Sequence, residues 1–96
     1  MATLELSLAA ENDLLDILEY TQRQWGERQR VKYQAQLRNR MLQLAEKPNM
    51  GRRNIQINKD ILYYHEGRHF LFYKSIPGGI EIVRVLHDSM DFKRHL

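Results

Sequence analysis

Phe70-Leu71-Phe72-Tyr73-Lys74-Ser75-Ile76-Pro77-Gly78-Gly79-Ile80-Glu81-Ile82-Val83-Arg84-Val85-Leu86-His87 is the stretch whose reading decides the fold. Two β-prone runs flank Pro77-Gly78-Gly79, a turn signal, so the segment reads as a β-hairpin. Neither run alternates cleanly between apolar and polar. Phe70 to Tyr73 is apolar or aromatic at every position, and Ile80, Ile82, Val83, Val85 and Leu86 fall on both parities. Strands that are apolar on both faces need cover on both sides.

Upstream, Leu62-Tyr63-Tyr64 is a short β-prone piece, and Ile55 and Ile57 alternate with polar neighbours as a further strand. Pro48 and Gly51 bracket a turn. Before it, residues 27–46 read as a helix with a main apolar stripe of Tyr33, Leu37, Met41 and Leu44. A second row, Val31, Ala35 and Leu42, lies on a different side of that helix. Residues 8–25 make another amphipathic helix, with Ala10, Leu14, Ile17, Leu18, Thr21 and Trp25 at helical spacing. Ser7 is its N-cap, and Glu11, Asp13 and Asp16 suit the positive end of its dipole. Gly26 stops it, and the short connection implies an antiparallel helical hairpin. Leu4 and Leu6 mark a first strand over 3–7, and Asp88 to Arg94 forms a last helical turn capped by Asp88 or Ser89. The expectation is one α+β domain over 1–96, ordered β-α-α-β-β-β, with an N-terminal helical hairpin packed on a small antiparallel sheet and a short C-terminal helical turn.

One helical hairpin covers one sheet face. The other face and the spare row on the second helix exceed what a monomer usually exposes, so a protein partner is expected there. The alternative is that the tail, through Met90, Phe92 and Leu96, folds back and covers the sheet alone. Composition narrows the rest. With 43% hydrophobic and 28% charged residues the chain is an ordinary globular one, and with no cysteine it has neither disulfides nor thiolate metal sites. No apolar run is long enough to cross a membrane and no signal peptide is visible, so the expected location is the cytoplasm, with no membrane partner. Charge is uneven: residues 1–26 hold five acids and one base, and residues 27–54 hold eight bases and two acids. Arg28, Arg30, Lys32, Arg38 and Arg40 therefore read either as a solvated face or as a surface for an acidic partner. The helix carries no helix-turn-helix signature, so no direct nucleic-acid binding is expected of the chain alone.

His65-Glu66-Gly67-Arg68-His69 spells the H-E-x-x-H zinc pattern, which needs a helix to bring both rings to one face. Here a turn at Glu66-Gly67 enters a strand, so the rings are not expected to converge. No Gly-rich phosphate loop, nucleophile elbow or carboxylate pair is present, and no cofactor is expected. Trp25, at the end of the first apolar stripe, reads first as a core anchor between the helices and second as an aromatic interface residue.

Five stretches together resemble the ParE toxins, within the wider RelE/ParE superfamily. They are Leu6-Ser7 with Ala10 and Asp13-Leu14; Tyr20-Thr21 with Trp25-Gly26; Leu44-Ala45 with Pro48 and Gly51-Arg52; Gly67-Arg68-His69 with Phe72-Tyr73; and Arg84-Val85-Leu86-His87 with Met90-Asp91 and His95-Leu96. The resemblance covers nearly the whole chain. It implies a sheet flanked by a helical hairpin, a ParD-like antitoxin that wraps the toxin in a heterotetramer or larger complex, and DNA gyrase as a target inhibited by binding rather than catalysis. The chain departs from the family pattern at Lys59-Asp60-Ile61-Leu62 and at Arg68. A RelE-like, metal-free, ribosome-dependent mRNA endonuclease is the rival expectation, with Arg52, Arg53, Lys59, Arg68, Arg84 and His87 on offer as reagents and Arg84 with His87 as the pair whose loss should abolish cleavage. Three positions apart on a strand, however, those two face opposite ways. A degenerate toxin that only binds antitoxin is the third. For Arg84 the plainer role is an ion pair with an acid such as Asp91, and for His87 it is closing the strand. The expected target or antitoxin interface is Trp25, Arg28, Val31, Lys32, Ala35, Leu42, Arg84, His87, Met90, Asp91 and Phe92.

Overall fold

The computed structural model describes residues 2–53 and 58–96. The strand expected at Ile55 and Ile57 lies outside the described residues. Ser7 and Gly26 set the start of the chain. The Ser7 side chain accepts the Ala10 N–H at 3.0 Å and opens the helix α1 (Leu8–Trp25) directly after the strand β1 (Thr3–Leu6). Gly26, at φ 91°, donates its N–H to Gln22 and accepts from Arg30, so one residue both ends α1 and begins α2 (Glu27–Glu46). A 3-10 turn (Pro48–Met50) leads to β2 (Arg52–Arg53), followed by β3 (Leu62–Glu66), β4 (His69–Ile76) and β5 (Gly79–His87).

The five strands form one sheet in the order β1-β5-β4-β3-β2. Neighbours from β2 to β5 are antiparallel, but β1 runs parallel to β5, so the sheet is not wholly antiparallel as expected. The alternation of Leu4 and Leu6 specifies a face, not a neighbour. The direction of β1 follows from α1, which leaves its end and packs back over β5.

The uneven pattern of the terminal hairpin has a local cause. Phe72 pairs with Arg84 and Tyr73 with Ile82, leaving Val83 as the extra residue of a β-bulge. Parity switches there, so Ile80 and Ile82 before the bulge and Val85 after it all enter the same core. Leu71 and Tyr73 of β4 and Leu62 of β3 join them, beneath Tyr33, Leu37, Met41, Leu44 and Ala45 of α2 and Ala10 of α1. The Tyr73 hydroxyl donates to Pro48 O at 2.6 Å and accepts Gly51 N–H at 2.8 Å, tying the α2–β2 turn to the sheet.

On the opposite face the tail covers more than expected. Phe92 packs at 5.6 Å from the Phe70 ring and 5.4 Å from Phe72, and Phe72 is 1% exposed. The partner inferred for this sheet face is therefore replaced, over Phe70 and Phe72, by the chain's own C-terminus. The final 3-10 turn is Phe92–Arg94, capped by Asp91, whose carboxylate accepts Lys93 N–H. It starts later than expected because both proposed caps are engaged elsewhere. The Asp88 carboxylate lies 3.1 Å from His65 Nε2, and Ser89 bonds His87.

Candidate functional site

With the back of the sheet partly sheltered, the exposed apolar surface moves to the helices. Positions 28, 31, 35, 38 and 42 recur at intervals of three and four, so Arg28, Val31, Ala35, Arg38 and Leu42 form one line along α2. This line lies opposite the buried Tyr33, Leu37, Met41 and Leu44. Val31 is 56% exposed and Leu42 41%, and Ala35, Arg28, Lys32 and Arg38 are also exposed. The result is an apolar row edged by guanidinium and ammonium groups, a form suited to an apolar helix face with acidic flanks. Arg40 does not belong to it. Its Nε binds Glu66 at 2.6 Å while its guanidinium stacks 4.7 Å from the Tyr64 ring, pinning α2 to β3.

Trp25 is 72% exposed, so it is not the core anchor its place on the stripe suggested. Leu18 and Thr21 are the last buried side chains of α1, and the helix runs one turn past the packed region before Gly26 ends it.

Arg84 and His87 diverge. Arg84 grips Asp13 of α1 through two bonds, Nε to Oδ2 at 2.8 Å and Nη2 to Oδ1 at 2.9 Å, and Oδ2 also accepts Val85 N–H at 2.9 Å. The partner of Arg84 is thus Asp13, not Asp91, and this pairing holds the guanidinium charged, above its ordinary value. Sequence reasoning read Asp13 as a helix-dipole residue and as part of a family-like stretch, not as the partner of Arg84. Its carboxylate meets the edge of β5 just where β1 has ended, which no local pattern encodes. His87 turns to the other face, beside His69, with ring centroids 5.3 Å apart. Met90 is exposed, Asp91 caps the last turn and Phe92 packs against Phe70 on the sheet.

His65 and His69 occupy opposite sheet faces. His65 stacks 4.7 Å from the Phe70 ring, whereas His69 Nδ1 meets the Tyr33 hydroxyl of α2 at 2.6 Å. An H-E-x-x-H string split across a turn between strands leaves its two rings unable to share a ligand. His69 instead lies in an open cleft of about 740 Å³, lined also by Tyr20, Trp25, Tyr33, Arg68 and His87.

Burial, aided by the neighbouring His87 and opposed by Asp88, lowers His69 from 6.5 to about 4. The folded state therefore holds fewer protons than the unfolded state between these values. The stabilisation is complete above pH 6.5 and is lost as pH falls toward about 4. Over that window we expect unfolding free energy to fall by roughly 3 kcal/mol through this residue. Urea unfolding at stepped pH, compared with His69→Asn, measures it. The wild-type and variant curves should converge as pH drops, and parallel curves would refute the assignment.

The family model described as "ParE toxin of type II toxin-antitoxin system, parDE" matches residues 4–92. The chain is similar to Toxin ParE1 of Caulobacter vibrioides, at 34% identity over 96 residues, covering 100% of this chain and 99% of that protein. It is also similar to Toxin ParE1 of Mycobacterium tuberculosis, at 36% over 92 residues, covering 95% and 94%. Among solved structures, one described as the chromosomal ParDE TA system from P. aeruginosa shares the fold with a TM-score of 0.77. It is 16% identical, and the alignment covers 91% of this chain and 96% of that one.

Proposed function

This chain belongs to the family of ParE toxins of type II toxin–antitoxin systems, and from that premise we propose that it acts by binding, not by turnover. A ParD-like antitoxin lays an apolar, acid-flanked segment along α2 and keeps the toxin silent. The free toxin inhibits DNA gyrase, the target that membership of this family implies. The observation that carries the antitoxin surface is the unpartnered row Val31, Ala35 and Leu42 set between Arg28, Lys32 and Arg38. Trp25, exposed at the corner between the helices, extends this surface, and Met90 is a further apolar residue open to a partner.

Val31→Glu combined with Leu42→Glu should weaken the antitoxin complex by about 100-fold or more, because charge like that of the acidic flanks enters the apolar row at both ends. Both side chains are exposed, so the unfolding transition should stay within about 1 kcal/mol of wild type. Co-purification with the product of a neighbouring small reading frame measures the first effect. A supercoiling assay on relaxed plasmid tests the target: purified toxin should suppress supercoiling or trap cleaved DNA, and antitoxin should restore it. Undiminished supercoiling at molar excess of folded toxin would refute gyrase as the target. An unaltered complex with the double variant would refute the α2 surface.

A further inference from the structure

The cleft between α1, the start of α2 and the β3–β4 turn is not needed for binding through the outer side of α2. Gln29 and Tyr33 line it from the flank of α2 turned away from Val31 and Ala35. It contains an unused donor on a buried side chain. His69 is 8% exposed, and among the described residues its Nε2 makes no hydrogen bond, while no buried side-chain polar atom lacks a partner. Nε2 is therefore the atom reached from the cleft. Its proton can be placed from the network. The Tyr33 hydroxyl accepts Arg68 N–H at 3.1 Å and has one proton to give, to His69 Nδ1 at 2.6 Å or Glu66 O at 3.5 Å. The shorter bond takes it, so the neutral imidazole carries its hydrogen on Nε2, facing the cleft.

His87 presents the same atom for a different reason. Ser89 N–H donates to its Nδ1 at 3.1 Å and the Ser89 hydroxyl, 2.7 Å from the same atom, donates as well, which leaves the hydrogen on Nε2. Arg68 is exposed at the rim and makes no ion pair among the described residues. His69, His87 and Arg68 all line this cleft, with the two imidazole rings 5.3 Å apart. Along the other side stand two exposed aromatic rings, Tyr20 and Trp25. Asp16, the one acid among the lining residues, is one turn before Tyr20 on α1, on the aromatic side.

We propose that this cleft binds a nucleoside monophosphate, with the phosphate held by Arg68, His69 and His87 and the base against Tyr20 and Trp25. Three donors from separate elements suit the oxygens of a tetrahedral phosphate better than a single carboxylate. Exposed aromatic faces suit a planar base. The Asp16 carboxylate favours a base that offers an amino group. The cleft volume falls within the range of small-molecule sites. Trp25 also borders the proposed antitoxin surface, so the test uses the toxin alone.

Trp25 is the only tryptophan, so its fluorescence reports on the aromatic wall directly. Titration with GMP and with AMP should quench it saturably. Inorganic phosphate should compete without quenching. Arg68→Ala and His87→Ala should each weaken GMP binding by about tenfold, with thermal melts recorded to show that both variants are folded. Absence of saturable quenching would overturn the proposal, as would equal affinity in both folded variants or failure of phosphate to compete. A tetranucleotide that binds more tightly than GMP would overturn it in favour of a nucleic-acid strand.

Discussion

Asp13→Ala is expected to destabilise the protein by about 3 kcal/mol, since it strands a largely sheltered guanidinium and a strand N–H together. For a domain of this size that corresponds to a fall of roughly 12–24 °C in Tm. Asp13 accepts from Arg84 Nε, Arg84 Nη2 and Val85 N. The two side chains are 24% and 14% exposed, which places the cost at the lower end for a broken ion pair. The effect should be asymmetric. Arg84→Ala leaves the carboxylate with Val85 N–H and access to water, so it should cost no more than about half as much. Asp13→Asn keeps an acceptor for Val85 and should fall between them. Thermal melts of the three variants decide the matter: if Arg84→Ala proves as damaging as Asp13→Ala, the carboxylate is not the hub of this edge.

Gly79→Ala should be at least as severe, on the order of 4 kcal/mol, because the clash is with backbone and no rotamer relieves it. A Cβ at Gly79 would stand 1.8 Å from Thr3 O and 2.6 Å from Thr3 C. Gly79 is the register partner of Thr3, so β1 must leave the sheet or the end of the hairpin must shift. Expelling β1 also uncovers Leu4 and Leu6 and loosens Ser7, whose hydroxyl donates to Val83 O at the bulge. Hydrogen exchange locates the damage: amides of β1 should lose protection while those of β4 keep it. The neighbouring Gly78→Ala is the control. At φ 82° it strains the turn, but its nearest contact is Thr3 Oγ1 at 3.7 Å, so its cost should stay near 1 kcal/mol. Equal losses at the two glycines would contradict the close approach of β1.

These two sites mark where reading the chain stops. Gly78 and Gly79 look alike in sequence, both belonging to the turn after Pro77. Only the arrival of β1, more than seventy residues earlier in the chain, separates a glycine required for φ from one required for space. Asp13 likewise looks like any acid in an early helical turn. Trp25 shows the converse failure: periodicity placed it on the buried stripe, but periodicity has no information on where the packed region ends.

The sequence by itself determined the helical hairpin over 8–46, its single-glycine joint, the hairpin at Pro77-Gly78-Gly79, the family, and the surplus apolar row Val31, Ala35 and Leu42. All of these rest on periodicity, turn chemistry or motif spacing, which act between near neighbours or across short intervals. Only the tertiary structure decided that β1 lies parallel to β5, that Phe92 shelters the back of the sheet, that Asp13 receives Arg84, and that His69, His87 and Arg68 border one cleft. Each of these joins residues from different elements, and local energetics specify an element's form and face but not the element it will meet.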